Sequence, residues 1–230
     1  MANVVDTRGE LPFISAKRRS SAHVAPRPVG TVVKRSIDLV LAAFGILLLS
    51  PLLFLCCSAL ILFSPGPVLF RHRRVGFNGQ TFDCLKFRTM APDAAERLQR
   101  LLESDPAAAA EWKATRKLRA DPRVTLLGAA LRRSSLDELP QLFNVIRGDM
   151  SIVGPRPVTE EELARYAYKV DAYLACRPGI TGLWQVSGRS TTTYRRRVAC
   201  DAFYARNWSM VLDTKIMLAT IPALFEDAAY

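Results

Sequence analysis

From Leu39 to Phe63 the chain is almost continuously apolar, a run of about 25 residues where roughly 20 suffice to cross a bilayer. This pattern predicts a membrane helix. It begins too late and runs too long for a cleaved signal peptide, and the small-residue cleavage site is missing. Ser50-Pro51 lies near its middle. Pro51 has no N–H and its ring clashes with the carbonyl of Leu47, so a kink is expected, with the Ser50 hydroxyl available to nearby backbone. Lys34 and Arg35 precede the run, and Arg71, Arg73 and Arg74 follow it. Positive residues favour the cytoplasmic side. Two basic flanks therefore favour a bent hairpin with both ends inside, although a kinked crossing helix satisfies the length equally.

Beyond this run the pattern changes to short elements. Arg74 to Phe82 predicts a β-hairpin around Asn78-Gly79, the strongest short hairpin signal. Alternation continues with Asp83, Leu85 and Phe87 on one face and Cys84, Lys86 and Arg88 on the other. Helices are predicted from Ala94 to Glu103 and from Pro106 to Leu118, and Asp121-Pro122 then breaks the chain. Another helix should run from Leu136 to Arg147, with Pro140 in its first turn and Gly148 as its stop. Val211 to Phe225 is apolar with sparse charge and follows Trp208. It packs on the core or lies along a membrane surface. Residues 1–33, rich in Ser, Pro and Arg with no apolar period, predict a basic disordered arm. The expected layout is this arm, a membrane helix over 34–65 and a cytoplasmic domain over 66–230. The fold class is mainly α with a small β-hairpin (α+β).

Composition narrows the function without choosing it. A chain of 230 residues can hold one catalytic domain and a membrane element. The 32 Lys and Arg give a formal net charge of +11, which points to nucleic acid, acidic lipid or a phosphorylated substrate. Five cysteines contain no C-x-x-C pair, so neither a disulfide framework nor a zinc site is indicated. His23 and His72 are the only histidines, which excludes a multi-histidine metal site.

Candidate chemistry concentrates in Ser134 to Leu142. Asp137 and Glu138 fall at a predicted helix start, where free backbone N–H groups and the helix dipole favour ionised carboxylates. An ionised Asp can attack phosphorus, and a neighbouring carboxylate can hold Mg²⁺ against phosphate oxygens. Alone, the segment is equally a capping box, Ser135-x-x-Glu138, which is the commoner use of such residues. The surroundings shift that balance. Arg132 and Arg133 precede the acids, and Arg147, Arg156 and Arg177 follow, with Lys86 and Arg88 on the hairpin. Pro155-Arg156-Pro157 holds a guanidinium in a stiff extended segment suited to phosphate. The Gly-rich stretch from Arg177 to Arg189 offers close backbone approach and an aromatic face. No Walker or Rossmann glycine pattern occurs.

Together these segments resemble the bacterial sugar transferases, or monotopic phosphoglycosyl transferases, from Lys34 to Tyr230. The resemblance rests on Lys34-Arg35 with Asp38, Ser50-Pro51, Lys86-Phe87-Arg88-Thr89-Met90, Leu131-Arg132, Ser135 to Gln141, Ser151 to Pro157 and Arg177 to Arg189. It implies a re-entrant membrane helix broken at Ser50-Pro51, and Asp137 as nucleophile toward the β-phosphorus of a UDP-sugar. UMP would leave a phosphoglycosyl-aspartate, from which undecaprenyl phosphate takes the sugar phosphate. Glu138 corresponds to the Mg²⁺ ligand. Arg132 and Arg156 match phosphate-contacting arginines, and charge adds Lys86, Arg88 and Arg189 to the phosphate-binding set. The chain looks like the short members that begin exopolysaccharide synthesis with galactose or glucose phosphate, which implies a place at the cytoplasmic face of a bacterial inner membrane, in contact with membrane lipid.

Two rivals remain at this stage. A membrane-tethered Mg²⁺-dependent nucleotide-sugar hydrolase or phosphatase would use the same acids. A basic scaffold binding nucleic acid is disfavoured, because the arginines sit with Gly-Pro loops and lack the interleaved aromatics of a stacking platform. No nucleic-acid partner is therefore expected. Homo-oligomerisation is compatible with the sequence, which leaves it open.

Overall fold

The computed structural model describes residues 27–115, 118, 120–188 and 193–225. Most of the expected arm, residues 1–26, lies outside them. The apolar run forms α1 (Thr31–Phe63), which begins before the apolar stretch and includes Pro51 as an interior residue with no loss of helix there. At 33 residues it is about 50 Å long, and it is apolar enough to cross a membrane. Leu47, Phe54 and Phe63 are 74%, 74% and 78% exposed. Exposed apolar surface on this scale marks a surface that meets lipid or protein rather than water.

The chain divides into two compact units, and the boundary within α1 falls between Leu48 and Leu49, one residue before Ser50. The first unit joins the start of α1 to 71–85 and 140–226. Its elements include most of the hairpin formed by β1 (Leu69–Val75) and β2 (Thr81–Phe87). The hairpin turn is where the sequence placed it: Asn78 and Gly79 both take positive φ. Further along come α5 (Gln141–Arg147), β3 (Ser151–Val153), α6 (Glu160–Ala164), α7 (Val170–Leu174), β4 (Gly179–Thr181), α8 (Leu183–Val186), α9 (Tyr194–Arg206) and α10 (Met210–Phe225). The helices between β2 and α5 belong to the second unit: α2 (Ala94–Ser104), α3 (Pro106–Thr115) and α4 (Leu126–Arg133).

The polar residues that open α1 turn inward. The Lys34 ammonium donates to Asp213 at 2.6 Å. Arg35 donates to the carbonyls of Val145 and Ile146 at 2.7 and 3.0 Å, in the last turn of α5, where a cation complements the helix dipole. Asp38 accepts from the Ser151 hydroxyl and the Ile152 N–H at 2.8 and 3.0 Å. Residues that the sequence offered as a membrane flank are thus the attachment of α1 to its unit.

β3 and β4 pair in parallel, Ser151 opposite Gly179 and Val153 opposite Thr181. A Cβ on Gly179 would lie 2.1 Å from the Gly154 nitrogen and 2.4 Å from the Thr181 carbonyl oxygen. Gly179 and Gly182, from the Gly-rich stretch, lie where the backbone around β4 approaches Gly154. Gly179→Ala should therefore overpack rigid backbone and destabilise by at least about 1–3 kcal/mol. A denaturant titration that leaves the unfolding midpoint unchanged would contradict this.

A buried aromatic core supports the same unit. Tyr166 and Tyr173 meet edge to face with centroids 5.1 Å apart, among Val75, Val158, Leu163, Val170 and Val198. The Tyr173 hydroxyl donates to the Val75 carbonyl at 2.7 Å and accepts from the Val158 N–H at 3.2 Å. It thereby extends the isolated bridge between those two residues. No disulfide joins the five cysteines, all of which lie among the described residues.

The described part of the second unit comprises Leu49–Phe70 and residues of Lys86–Leu139, with α2, α3 and α4. Its core is Cys56, Leu60, Phe87 and Leu131, with Leu52, Leu53, Val68, Leu136 and Leu139 packed around them. The second half of α1, the end of β2 and α4 therefore share one apolar cluster. The segments that carry Lys86, Arg132 and the acidic pair emerge from it.

Candidate active site

Alternation along β2 buries Phe87 in that core and leaves Lys86 half-buried beside it. From the other side, α4 is capped at its start by the Thr125 hydroxyl, which accepts from the Gly128 N–H at 2.9 Å. It ends in Arg132 and Arg133. The chain then departs from the expected helix over 136–147. Ser135 takes φ 56° and makes no side-chain cap, so the capping box is not formed. Leu136–Glu138 make a single 3-10 turn, and α5 begins only at Gln141, after Pro140. Gly148, at φ 97°, ends α5 as the sequence indicated. Leu136 and Leu139 anchor the turn in the core, which fixes the two acids between them.

Four expected site residues come together here. The Lys86 ammonium lies 2.5 Å from a Glu138 carboxylate oxygen and 3.9 Å from one of Asp137. Arg132 Nε donates to the Thr89 hydroxyl at 2.8 Å. Asp137 is only 8% exposed. The sequence expected a helix N-terminus to favour its ionised form, but a three-residue 3-10 turn offers little dipole. Burial dominates and pushes the Asp137 carboxyl above its ordinary value. The Lys86 charge pulls it back, the neighbouring Glu138 charge raises it, and Arg132 lowers it.

The carboxylates fit a divalent cation. Among the described residues no cluster of three or more His, Cys, Asp or Glu gathers as a cage. Mg²⁺ does not require one, because it is commonly held by one or two carboxylates, with substrate phosphate and water completing the shell. Glu138 already carries a cationic group at 2.5 Å, and Asp137 adjoins it.

The other expected residues are placed differently. Arg88 is buried, and its Nη2 donates to the Ser64 carbonyl and hydroxyl just past the end of α1. Its Nε and Nη1 have no hydrogen-bond partner. Arg156 belongs to the first unit, its guanidinium 5.9 Å from the centre of the Trp184 ring. Arg189 lies outside the described residues. Sequence reasoning missed Arg197, which the sequence offers only as the last member of the Arg195-Arg196-Arg197 run. It is buried, with its guanidinium 5.0 Å from Trp184 and 5.3 Å from Tyr194. Nearby, Asp201 accepts from the Tyr166 hydroxyl at 2.6 Å, and burial pushes its carboxyl up to about 6. Helical spacing from Arg197 to Asp201 was the available signal.

Residues 29–227 match the family described as bacterial sugar transferase. The chain belongs to that family. The exopolysaccharide production protein ExoY of Sinorhizobium fredii is 54% identical over 201 residues, 87% of this chain and 88% of that protein. The undecaprenyl-phosphate galactose phosphotransferase of Salmonella typhimurium is 45% identical over 199 residues, 86% of this chain but 42% of that protein. The UDP-glucose:undecaprenyl-phosphate glucose-1-phosphate transferase of Caulobacter vibrioides is 42% identical over 219 residues, covering 89% and 74%. In this bacterial sugar transferase, the family match takes in α1, the hairpin and the Asp137-Glu138 turn together.

Proposed function

We propose that the chain transfers a hexose 1-phosphate, galactose or glucose, from a UDP-sugar to undecaprenyl phosphate as the first membrane step of exopolysaccharide synthesis. The observation that carries this reading is the buried Asp137 carboxyl beside Glu138, with Lys86 against both and Arg132 near enough to bias its ionisation. A carboxylate oxygen of Asp137 attacks the β-phosphorus. The bond from that phosphorus to the bridging oxygen breaks, and its electron pair leaves on UMP. The sugar phosphate is then bonded to Asp137. An oxygen of undecaprenyl phosphate attacks the same phosphorus, the bond to Asp137 breaks, and the carboxylate is restored. The covalent stage divides one difficult transfer between a soluble and a lipid substrate into two simpler ones.

Glu138, with Asp137 adjoining, would hold Mg²⁺, which when bound supplies positive charge to the diphosphate oxygens. Lys86 and Arg132 add to that charge where it develops on the departing UMP, the kind of preorganised electrostatic help that lowers such barriers. Arg156 and Arg189 are proposed to serve the same phosphates. Arg88 completes the proposed phosphate-binding set.

The membrane reading completes the scheme. α1 enters and leaves one leaflet, bent at Ser50-Pro51, and keeps the domain over 66–230 at the cytoplasmic face of the inner membrane. Lys and Arg near an anionic surface contribute about 1 kcal/mol each. Membrane-impermeant labelling of single cysteines at positions 17 and 73 should then find both on one side. Labelling on opposite sides contradicts the hairpin.

The deciding assay is UMP release from a panel of UDP-sugars, with and without undecaprenyl phosphate. Lipid-linked sugar phosphate should form only with acceptor present, and a divalent-metal chelator should stop it until Mg²⁺ is restored. UMP release with no lipid product under any condition would favour a hydrolase. The pH profile carries a sign. Because burial raises the Asp137 carboxyl, activity should fall on acidification at a higher pH than an ordinary aspartate would require. Lys86→Met removes a charge that lowers it, so the acid limb should move to still higher pH. A limb that stays in place or moves down would contradict this assignment.

A further inference from the structure

We propose that Thr89 is a positioning residue for transfer, fixing the direction in which Arg132 presents its two terminal nitrogens. The inference rests on the reading above only in taking Arg132 as a phosphate-contacting group. The geometry belongs entirely to the second unit.

The chain after β2 pairs with the segment that leads into α4. The Ala91 N–H donates to the Arg123 carbonyl at 2.8 Å, and the Thr125 N–H donates to the Thr89 carbonyl at 3.1 Å. Met90 and Val124 form an antiparallel bridge between those bonds. α4 therefore starts in register with Thr89. Its first turn then lies directly against that residue. A Cβ at Gly128 would sit 2.0 Å from the Thr89 carbonyl oxygen, so only glycine allows the approach. Arg132 is one turn beyond Gly128 on the same helical face, and it returns to Thr89 through the 2.8 Å bond from Nε to Oγ1.

Each part of this contact restricts the guanidinium. Thr89 is buried, and a β-branched side chain has few χ1 choices, so its hydroxyl is held by the backbone that carries it. A bond at Nε stops the planar fork from turning about its stem. Nη1 and Nη2 make no hydrogen bond among the described residues. A guanidinium fixed at Nε and open at both ends is suited to two parallel bonds to a phosphate. The acidic turn follows directly, joined to Arg132 by the 3.1 Å bond from the Ser135 N–H to its carbonyl.

The test is a double-mutant cycle in the full chain, reading UMP release and lipid product. Thr89→Val keeps the shape and deletes the hydroxyl, while Thr89→Ser keeps the hydroxyl. Losing one hydrogen bond to a charged group should lower kcat/KM for the UDP-sugar about 10-fold in Thr89→Val. Thr89→Ser should stay within about 2-fold of wild type. In an Arg132→Gln background, Thr89→Val should add less than about 2-fold, because the two residues act as one. Equal losses in both backgrounds, or an unaffected Thr89→Val, overturn the proposal.

A second readout does not depend on activity. Modification of Arg132 by phenylglyoxal, followed by peptide mass spectrometry, should quicken in Thr89→Val and not in Thr89→Ser. An unchanged rate in both overturns the proposal whether or not the chain transfers sugar phosphate. Faster modification together with wild-type transfer by Arg132→Gln would show that Thr89 holds Arg132 but would overturn its role in transfer, and would remove Arg132 from the phosphate-binding set.

Discussion

Asp137→Asn will lower transfer by at least about 10³-fold, the scale expected when a nucleophile is removed, while the protein remains folded. The substitution preserves the shape of a side chain that is almost wholly buried and removes a charge that burial opposes. Lys86 keeps its nearer partner, Glu138, at 2.5 Å, so no cation is stranded. The 3-10 turn is held by Leu136 and Leu139 in the core, not by the carboxylate. The thermal unfolding midpoint should therefore stay level or rise. UMP release at wild-type rate by this variant would remove the covalent mechanism, whereas loss of folding would contradict the energetic account of the site.

The second large effect lies away from the chemistry. Asp213 is buried and receives three donors: Lys34 at 2.6 Å, the Tyr204 hydroxyl at 2.7 Å and the Trp208 indole N–H at 3.0 Å. Asp213→Ala would leave a buried ammonium and two N–H or O–H donors without their acceptor. Removing one partner of a buried ion pair typically costs about 3–5 kcal/mol. The expected result is a large loss of stability, read by denaturant unfolding in detergent. The start of α1 should detach from α10, because Lys34 and Asp213 tie them. Replacing both partners, Lys34→Met with Asp213→Leu, should recover much of the loss, since an apolar pair leaves no buried charge. A single Asp213→Ala variant as stable as wild type would show that this network does not hold α1.

Long-period features were legible in the chain and local backbone exceptions were not. The apolar run identified α1, the Asn78-Gly79 pair identified the hairpin, and helical patterns located α2, α3 and α10 to within a few residues. Those signals depend on many side chains or on one turn with strong residue preferences. The acidic turn resisted for the opposite reason. A single serine at positive φ, Ser135, separates a capping box from a 3-10 turn, and serine carries no strong preference for that conformation. Burial of Lys34 and Asp38, and of Arg88 on Ser64, was equally hidden. Each depends on partners far away in sequence, and a charge beside an apolar run looks the same whether it meets solvent or a buried carbonyl. Of the residues that the sequence grouped, Lys86 meets Asp137 and Glu138 in the fold, while Arg132 bonds to Thr89. The electrostatics of the site were not legible, because the sign of the Asp137 shift is set by burial.

The most direct measurement is capture of the covalent stage. The full chain is incubated with a UDP-sugar labelled in the β-phosphate, without acceptor, quenched, digested and analysed by peptide mass spectrometry. Labelled sugar phosphate should be bonded to the peptide containing Asp137, and should disappear when undecaprenyl phosphate is added before the quench. Consumption of donor with no label on that peptide, in the absence or presence of acceptor, would contradict the account.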